Sequence, residues 1–129
     1  YFRIMKIINT TQAPAPIGPY SQAVQCGNLL FVSGQIALDS ANGQLITSSI
    51  SAQTTRVMQN IEAILHAAGL DFSNIVKTTI FLTAMSHFDE VNKVYSSYFK
   101  DNFPARETVA VAGLPKGVDV EISVTAEVA

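Results

Sequence analysis

The sequence predicts an α+β domain in which two helices cover one face of a sheet of about six strands. Three observations predict it. Two segments repeat apolar residues with a one-sided 3.6-residue period, which marks helices with a single buried stripe. Short alternating apolar segments lie around them, in the order three strands, helix, strand, helix, two strands. The chain has 129 residues, enough for one core but not for two. Residues 5–129 are read as that single domain, with residues 1–4 (YFRI) as an extension ahead of Met5.

Residues 5–10 (MKIINT) read as the first strand. The following TQAPAPIGPY cannot be regular structure, because proline lacks an N–H donor and restricts the residue before it. In SQAVQCGNLLFVSGQIAL two strands flank the turn pair Gly27–Asn28, and Asp39–Gly43 (DSANG) marks a second turn. The first helix lies in SISAQTTRVMQNIEAILHAAGL, with its stripe at Val57, Ile61, Ile64, Leu65 and Ala68. Ser49 or Ser51 can cap its start and Gly69 can end it. NIVKTTIFLTAM sets Val76, Thr78, Ile80 and Leu82 against Ile75, Lys77, Thr79 and Phe81, and reads as a strand well inside the sheet. The second helix is placed from Ser86, with Asp89 three residues on in capping-box spacing. Its stripe is Phe88, Val91, Val94, Tyr95, Tyr98 and Phe99. ETVAVA, GLPKG and VDVEISVTAEV read as a closing hairpin.

With 48% hydrophobic and 14% charged residues, the composition fits a globular domain and excludes disorder. Charge is scarce for a domain this small. The sheet face left bare by the helices carries Val, Ala, Thr and Ser, so copies of the chain are expected to cover it. The net charge of −2 gives no electrostatic footprint for nucleic acid. A lone cysteine, Cys26, rules out an internal disulfide and fits a reducing cytosol. No apolar run is long enough to cross a membrane. Paired cysteines, HxxxH, clustered carboxylates, GxGxxG and GxxxxGK are all missing. No metal and no cofactor are expected.

Few residues remain as candidates for chemistry. His66, beside the stripe of the first helix, and His87, at the start of the second, read as surface or packing residues. Cys26, ahead of a turn glycine, reads as a small half-buried residue. Arg106 follows the proline of FPAR, and Glu121 interrupts a run of valines and isoleucines fifteen positions later. Along that last strand Asp119, Glu121, Ser123, Thr125 and Glu127 share one side. Glu121 either faces water on an amphipathic strand or ends a binding site. Arg106 either guards an edge strand against aggregation or does the same. Spacing leaves both readings open.

Motifs favour the binding site. IGPYSQAV, LLFVSGQIAL, the AAGL that ends the first helix, IVKTTIFLT, and FPAR…LPKG…VEI occur in the order found in the Rid (YjgF-type) family of reactive intermediate deaminases, which the chain resembles from about Met5 onward. The resemblance implies a single six-stranded mixed sheet with two helices on one face, similar to the bacterial chorismate mutases. It also implies assembly as a homotrimer whose sheets form an inner barrel, with sites in clefts between subunits.

By that resemblance Arg106 binds the carboxylate of a small 2-imino acid, through two parallel charge-assisted hydrogen bonds worth ~1.5–3 kcal/mol each. Glu121 holds and activates the attacking water, Tyr20 closes the pocket, Ser33 and Gly34 present backbone groups, and Asn92 lines the cleft. Thr108 stands where many members carry a cysteine; a role exerted through that residue's backbone survives the exchange. The implied reaction hydrolyses 2-iminopropanoate or 2-iminobutanoate to a 2-keto acid and ammonia, in the cytoplasm and without a cofactor. One alternative shares these residues, a trimer that binds keto acids without turnover; a deaminase of the 2-aminomuconate type, from the same broad family, is a chemically close second. A ribonuclease lacks support, since the chain shows no basic stripe, stacking platform or histidine pair.

Overall fold

The structure, a computed structural model, describes residues 5–128; the reading of residues 1–4 as an extension lies outside them. Six strands, β1 (Met5–Ile8), β2 (Ala23–Cys26), β3 (Leu29–Gln35), β4 (Ile75–Leu82), β5 (Ala105–Ala110) and β6 (Val120–Glu127), form one sheet. Two helices, α1 (Ile50–Ala67) and α2 (Phe88–Ser96), pack on one of its faces. The predicted order and layering hold. Val57, Ile61, Ile64 and Leu65 of α1 and Val91 and Tyr95 of α2 share one core with Leu30, Val32, Ile80, Leu82, Val120, Ile122 and Val124 of the sheet.

α1 follows its sequence signals closely. Ser49, in extended conformation, accepts a hydrogen bond from the Ala52 amide at 3.0 Å, and Gly69 turns left-handed (φ 76°) after the last turn. α2 departs from its signals. Met85–His87 form a 3-10 turn, the helix starts only at Phe88, and no side chain caps it. Tyr98 and Phe99 lie beyond its end, and pack with Phe72 and Tyr95 as an aromatic cluster.

The sheet corrects the expected closing hairpin. β5 pairs with β4 in parallel, and β6 runs antiparallel between β4 and β3, so β5 and β6 are not neighbours. The α2 crossover returns the chain in the direction of β4, which makes a parallel neighbour. The link through the 3-10 turn Pro115–Gly117 is then long enough to carry β6 past β4. Alternation in β4 also breaks at its start. A register shift between Ile75 and Lys77 turns Ile75 inward and leaves Val76 44% exposed, while Thr78, Ile80 and Leu82 are buried together. Asp119, grouped with Glu121 on one side of the last strand, precedes β6. Its carboxylate accepts hydrogen bonds from Gln53 of α1 and Thr83 instead.

The proline-rich loop is held by one buried amide. Gln22 accepts from the Thr10 amide at 2.8 Å and donates to the carbonyls of Thr10, Ala13 and Pro14. On the open face of the sheet Ile7, Val24, Phe31 and Thr125 run across in register, with Ile7 51% and Phe31 47% exposed.

Candidate functional site

All the predicted site residues except Thr108 fall into two recesses of the chain. The first, of about 320 Å³, is lined by Tyr20, Ser33, Gly34 and Glu121, with Ile17, Ile36 and Pro115 as apolar walls. It forms where β3 and β6 lose register between Val32 and Gln35, so that Ser33 and Gly34 bulge opposite β6. Glu121 is on the open face, because its neighbours Val120 and Ile122 are buried beneath the helices. Its carboxylate crosses directly over Gly34. A Cβ there would fall onto Glu121 Oε2 and lie 2.8 Å from Cδ, so only glycine admits the carboxylate at this point. Burial pushes the Glu121 carboxyl above the ordinary glutamate value.

Tyr20 is 46% exposed. Its hydroxyl oxygen accepts from the Ile17 amide at 3.3 Å, which leaves the hydroxyl hydrogen free to donate into the recess. Ser33 is more committed than its motif implies. Its amide donates to Gln22 O at 2.9 Å, its hydroxyl to Ser21 O at 2.6 Å, and its carbonyl accepts from Gln35. Of its backbone groups, what remains for a ligand is the second lone pair of that carbonyl.

The second recess, of about 280 Å³, lies under α2 and holds Arg106, Asn92, Tyr95, Ser96, Phe103 and Pro104. Arg106 Nη1 donates to Asn92 Oδ1 at 2.6 Å. The guanidinium carbon is 5.2 Å from the centre of the Tyr95 ring and 5.6 Å from that of Phe88. Among the described residues no carboxylate pairs with Arg106, so its remaining N–H groups can hold an anion. Thr108 follows two positions along the same side of β5, and its hydroxyl oxygen is shielded without a hydrogen-bond partner.

Strand register decides how the two recesses relate. Arg106 is the partner of Thr78, which is buried and pairs with Val124 on the helix-covered face. Glu121 is the partner of Phe81, one residue out of phase with the buried Ile80 and Leu82. Arg106 and Glu121 therefore occupy opposite faces of the sheet. The structure joins Tyr20, Ser33, Gly34 and Glu121, and separately Arg106 and Asn92, while Thr108 lies farther along β5 and lines neither recess.

Sequence reasoning took Phe88 and Tyr95 for core stripe residues only. Their spacing with Asn92 (i, i+4, i+7) was the available signal, since it stacks all three on one side of a helix. Ile17, Ile36 and Pro115 carried no signal beyond their motifs. His66 and His87 line neither recess. Among the described residues no group of three or more His, Cys, Asp or Glu is placed to hold a metal ion, and no helix is long and apolar enough to cross a membrane.

Comparison with known proteins places this arrangement. The chain is 47% identical over 123 residues to a mouse protein named 2-iminobutanoate/2-iminopropanoate deaminase, covering 95% of this chain and 91% of that one. It is 52% identical over 124 residues to a Lactococcus lactis protein that carries the regulator name AldR, covering 96% and 98%. A crystal structure from Yersinia pestis, YyfA of the conserved Rid protein family, superposes with a TM-score of 0.95 at 47% identity, covering 97% of this chain and all of that one. The family model described as Endoribonuclease L-PSP matches residues 10–128. This chain belongs to that family, the L-PSP or Rid family.

Proposed function

We propose that this protein hydrolyses small 2-imino acids and their enamine tautomers, of the 2-iminopropanoate and 2-iminobutanoate type, to 2-keto acids and ammonia. The observation that carries the reading is Arg106: a guanidinium held by Asn92 and two aromatic rings, with no carboxylate of its own among the described residues. Such a group is shaped for an external carboxylate. The name of the mouse relative supports the same substrate class.

The two recesses supply complementary halves of that chemistry. Arg106 fixes the carboxylate and so turns the adjacent C=N carbon toward a defined position. Glu121 accepts a proton from water as the water oxygen bonds to that carbon. Burial raises its pKa, which makes the ionised carboxylate a stronger base. The C=N π electrons move to nitrogen, which takes up the proton that Glu121 has just accepted. The carbinolamine then collapses: its hydroxyl proton passes to the freed Glu121 carboxylate, the C–N bond breaks onto nitrogen, and ammonia departs to leave a C=O. A protonated imine is already electrophilic, so positioning and one base suffice.

Because the halves lie on opposite faces of one sheet, the reading requires that one copy's Arg106 meet another copy's Glu121. The apolar, half-exposed open face around Ile7 and Phe31 supports assembly through that face, and a trimer with three such clefts is the form proposed. The lone Cys26 supports a reducing cytoplasm as its compartment.

A second reading, a trimer that binds keto acids as a signal without turnover, is favoured by the regulator name of the Lactococcus relative. Keto-acid release from a threonine dehydratase reaction tests both. Faster release on adding this protein, lost in Arg106→Ala and in Glu121→Ala, is the result expected of the enzyme. No acceleration, with keto-acid binding intact, identifies the regulator.

A further inference from the structure

Arg106, Thr78 and Tyr95 form a closed triangle. Thr78 on β4 is the register partner of Arg106 on β5. Tyr95 on α2 donates its phenol hydrogen to Thr78 Oγ1 at 2.9 Å, and the same Tyr95 ring lies 5.2 Å from the guanidinium carbon of Arg106. Tyr95 is only 3% exposed and Thr78 is fully buried. A buried phenol needs a partner, and this one finds it on the strand beside the arginine rather than on its own helix.

From this we infer that Tyr95, anchored through Thr78, is a positioning residue for the carboxylate-binding guanidinium. The inference rests on the reading of Arg106 as the anchor. Asn92 holds only Nη1, a single point about which the guanidinium plane could still rotate. A ring packed against the plane removes that freedom, provided the ring itself cannot slide. The phenol–threonine hydrogen bond supplies that condition, since it pins the ring to the strand whose register sets the Arg106 backbone. A planar fork meets both carboxylate oxygens only when its plane is fixed, so the pair acts on affinity for the acid group.

Binding of 2-oxobutanoate and of its neutral amide, measured by calorimetry on the intact assembly, tests this. Tyr95→Phe deletes the anchor and keeps the ring. It is expected to weaken keto-acid binding about 3- to 10-fold, the effect of about one hydrogen bond, while amide binding is unchanged. Steady-state assays should show the same change in KM, with kcat within about two-fold. Thr78→Ser keeps the acceptor and is expected to bind like wild type. The double variant Tyr95→Phe/Thr78→Val leaves no orphaned group and is expected to match Tyr95→Phe alone, because both changes break one link. A merely structural role would lower thermal stability and leave the acid-to-amide ratio where it was. Wild-type affinity in both Tyr95→Phe and the double variant, with Arg106→Ala inactive in binding, overturns the inference and spares the anchor. Wild-type affinity in Arg106→Ala overturns both.

Discussion

Gly34 of β3 and Glu121 of β6 are in contact at the one point where those strands lose register, and the carboxylate lies where any larger residue's Cβ would be. The bulge and the glycine thus exist for the same side chain. Gly34→Ala should push Glu121 out of its place, with about 1–3 kcal/mol lost in stability from overpacking and at least about ten-fold lost in kcat. In a Glu121→Ala background the same substitution should be nearly neutral for stability. Denaturant titration of the four proteins gives the coupling. Equal costs in both backgrounds would mean that the carboxylate does not occupy this position.

Burial at that contact sets a pH signature. The folded protein holds the Glu121 proton more tightly than the unfolded chain, because burial raises its pKa. The stability that Glu121 contributes is therefore full below the ordinary glutamate value and is lost as pH rises through the raised one. Glu121→Gln should melt higher than wild type at neutral pH, and the difference should close below about pH 4, where an ordinary glutamate is itself largely protonated. In the enzyme, the acidic limb of kcat/KM should lie above the ordinary glutamate range, since the base must be ionised. A limb at or below that range contradicts the assignment.

The loop that carries Tyr20 depends on Gln22, whose buried amide makes four hydrogen bonds to it. Gln22→Leu fills similar space but strands three carbonyls and an amide hydrogen. A loss of about 2–3 kcal/mol is expected by denaturant unfolding, together with a rise in KM as Tyr20 and Ile17 lose their footing. Unchanged stability would show that the loop is held elsewhere.

Much of this architecture was legible from the chain. Ser49, Gly69 and the Val57–Leu65 stripe fix α1 because caps and helical period are local signals. The hairpin expected of ETVAVA and VDVEISVTAEV failed for the opposite reason. Alternation shows that a segment is a strand but not which strand it pairs with, and β4 intervenes. Val76 leaves the side it shares with Thr78 in the alternation, because a bulge inserts one residue without leaving a mark in composition. The motifs named Arg106 and Glu121, but their placement on opposite faces follows from the parallel register of Thr78 with Arg106, which no local pattern encodes. Phe88 and Tyr95 were read as core because a ring that packs a helix and a ring that packs a guanidinium have the same spacing.

That placement yields the most direct test of the account. Arg106→Ala and Glu121→Ala, each inactive alone, are unfolded together in equal amounts and refolded as mixed assemblies. If each site takes its arginine from one copy and its glutamate from the neighbour, about one quarter of sites in a randomly mixed ring regain both residues, and about a quarter of wild-type activity returns. If both residues serve within a single copy, the mixture stays as inactive as its parents, and the shared cleft is wrong.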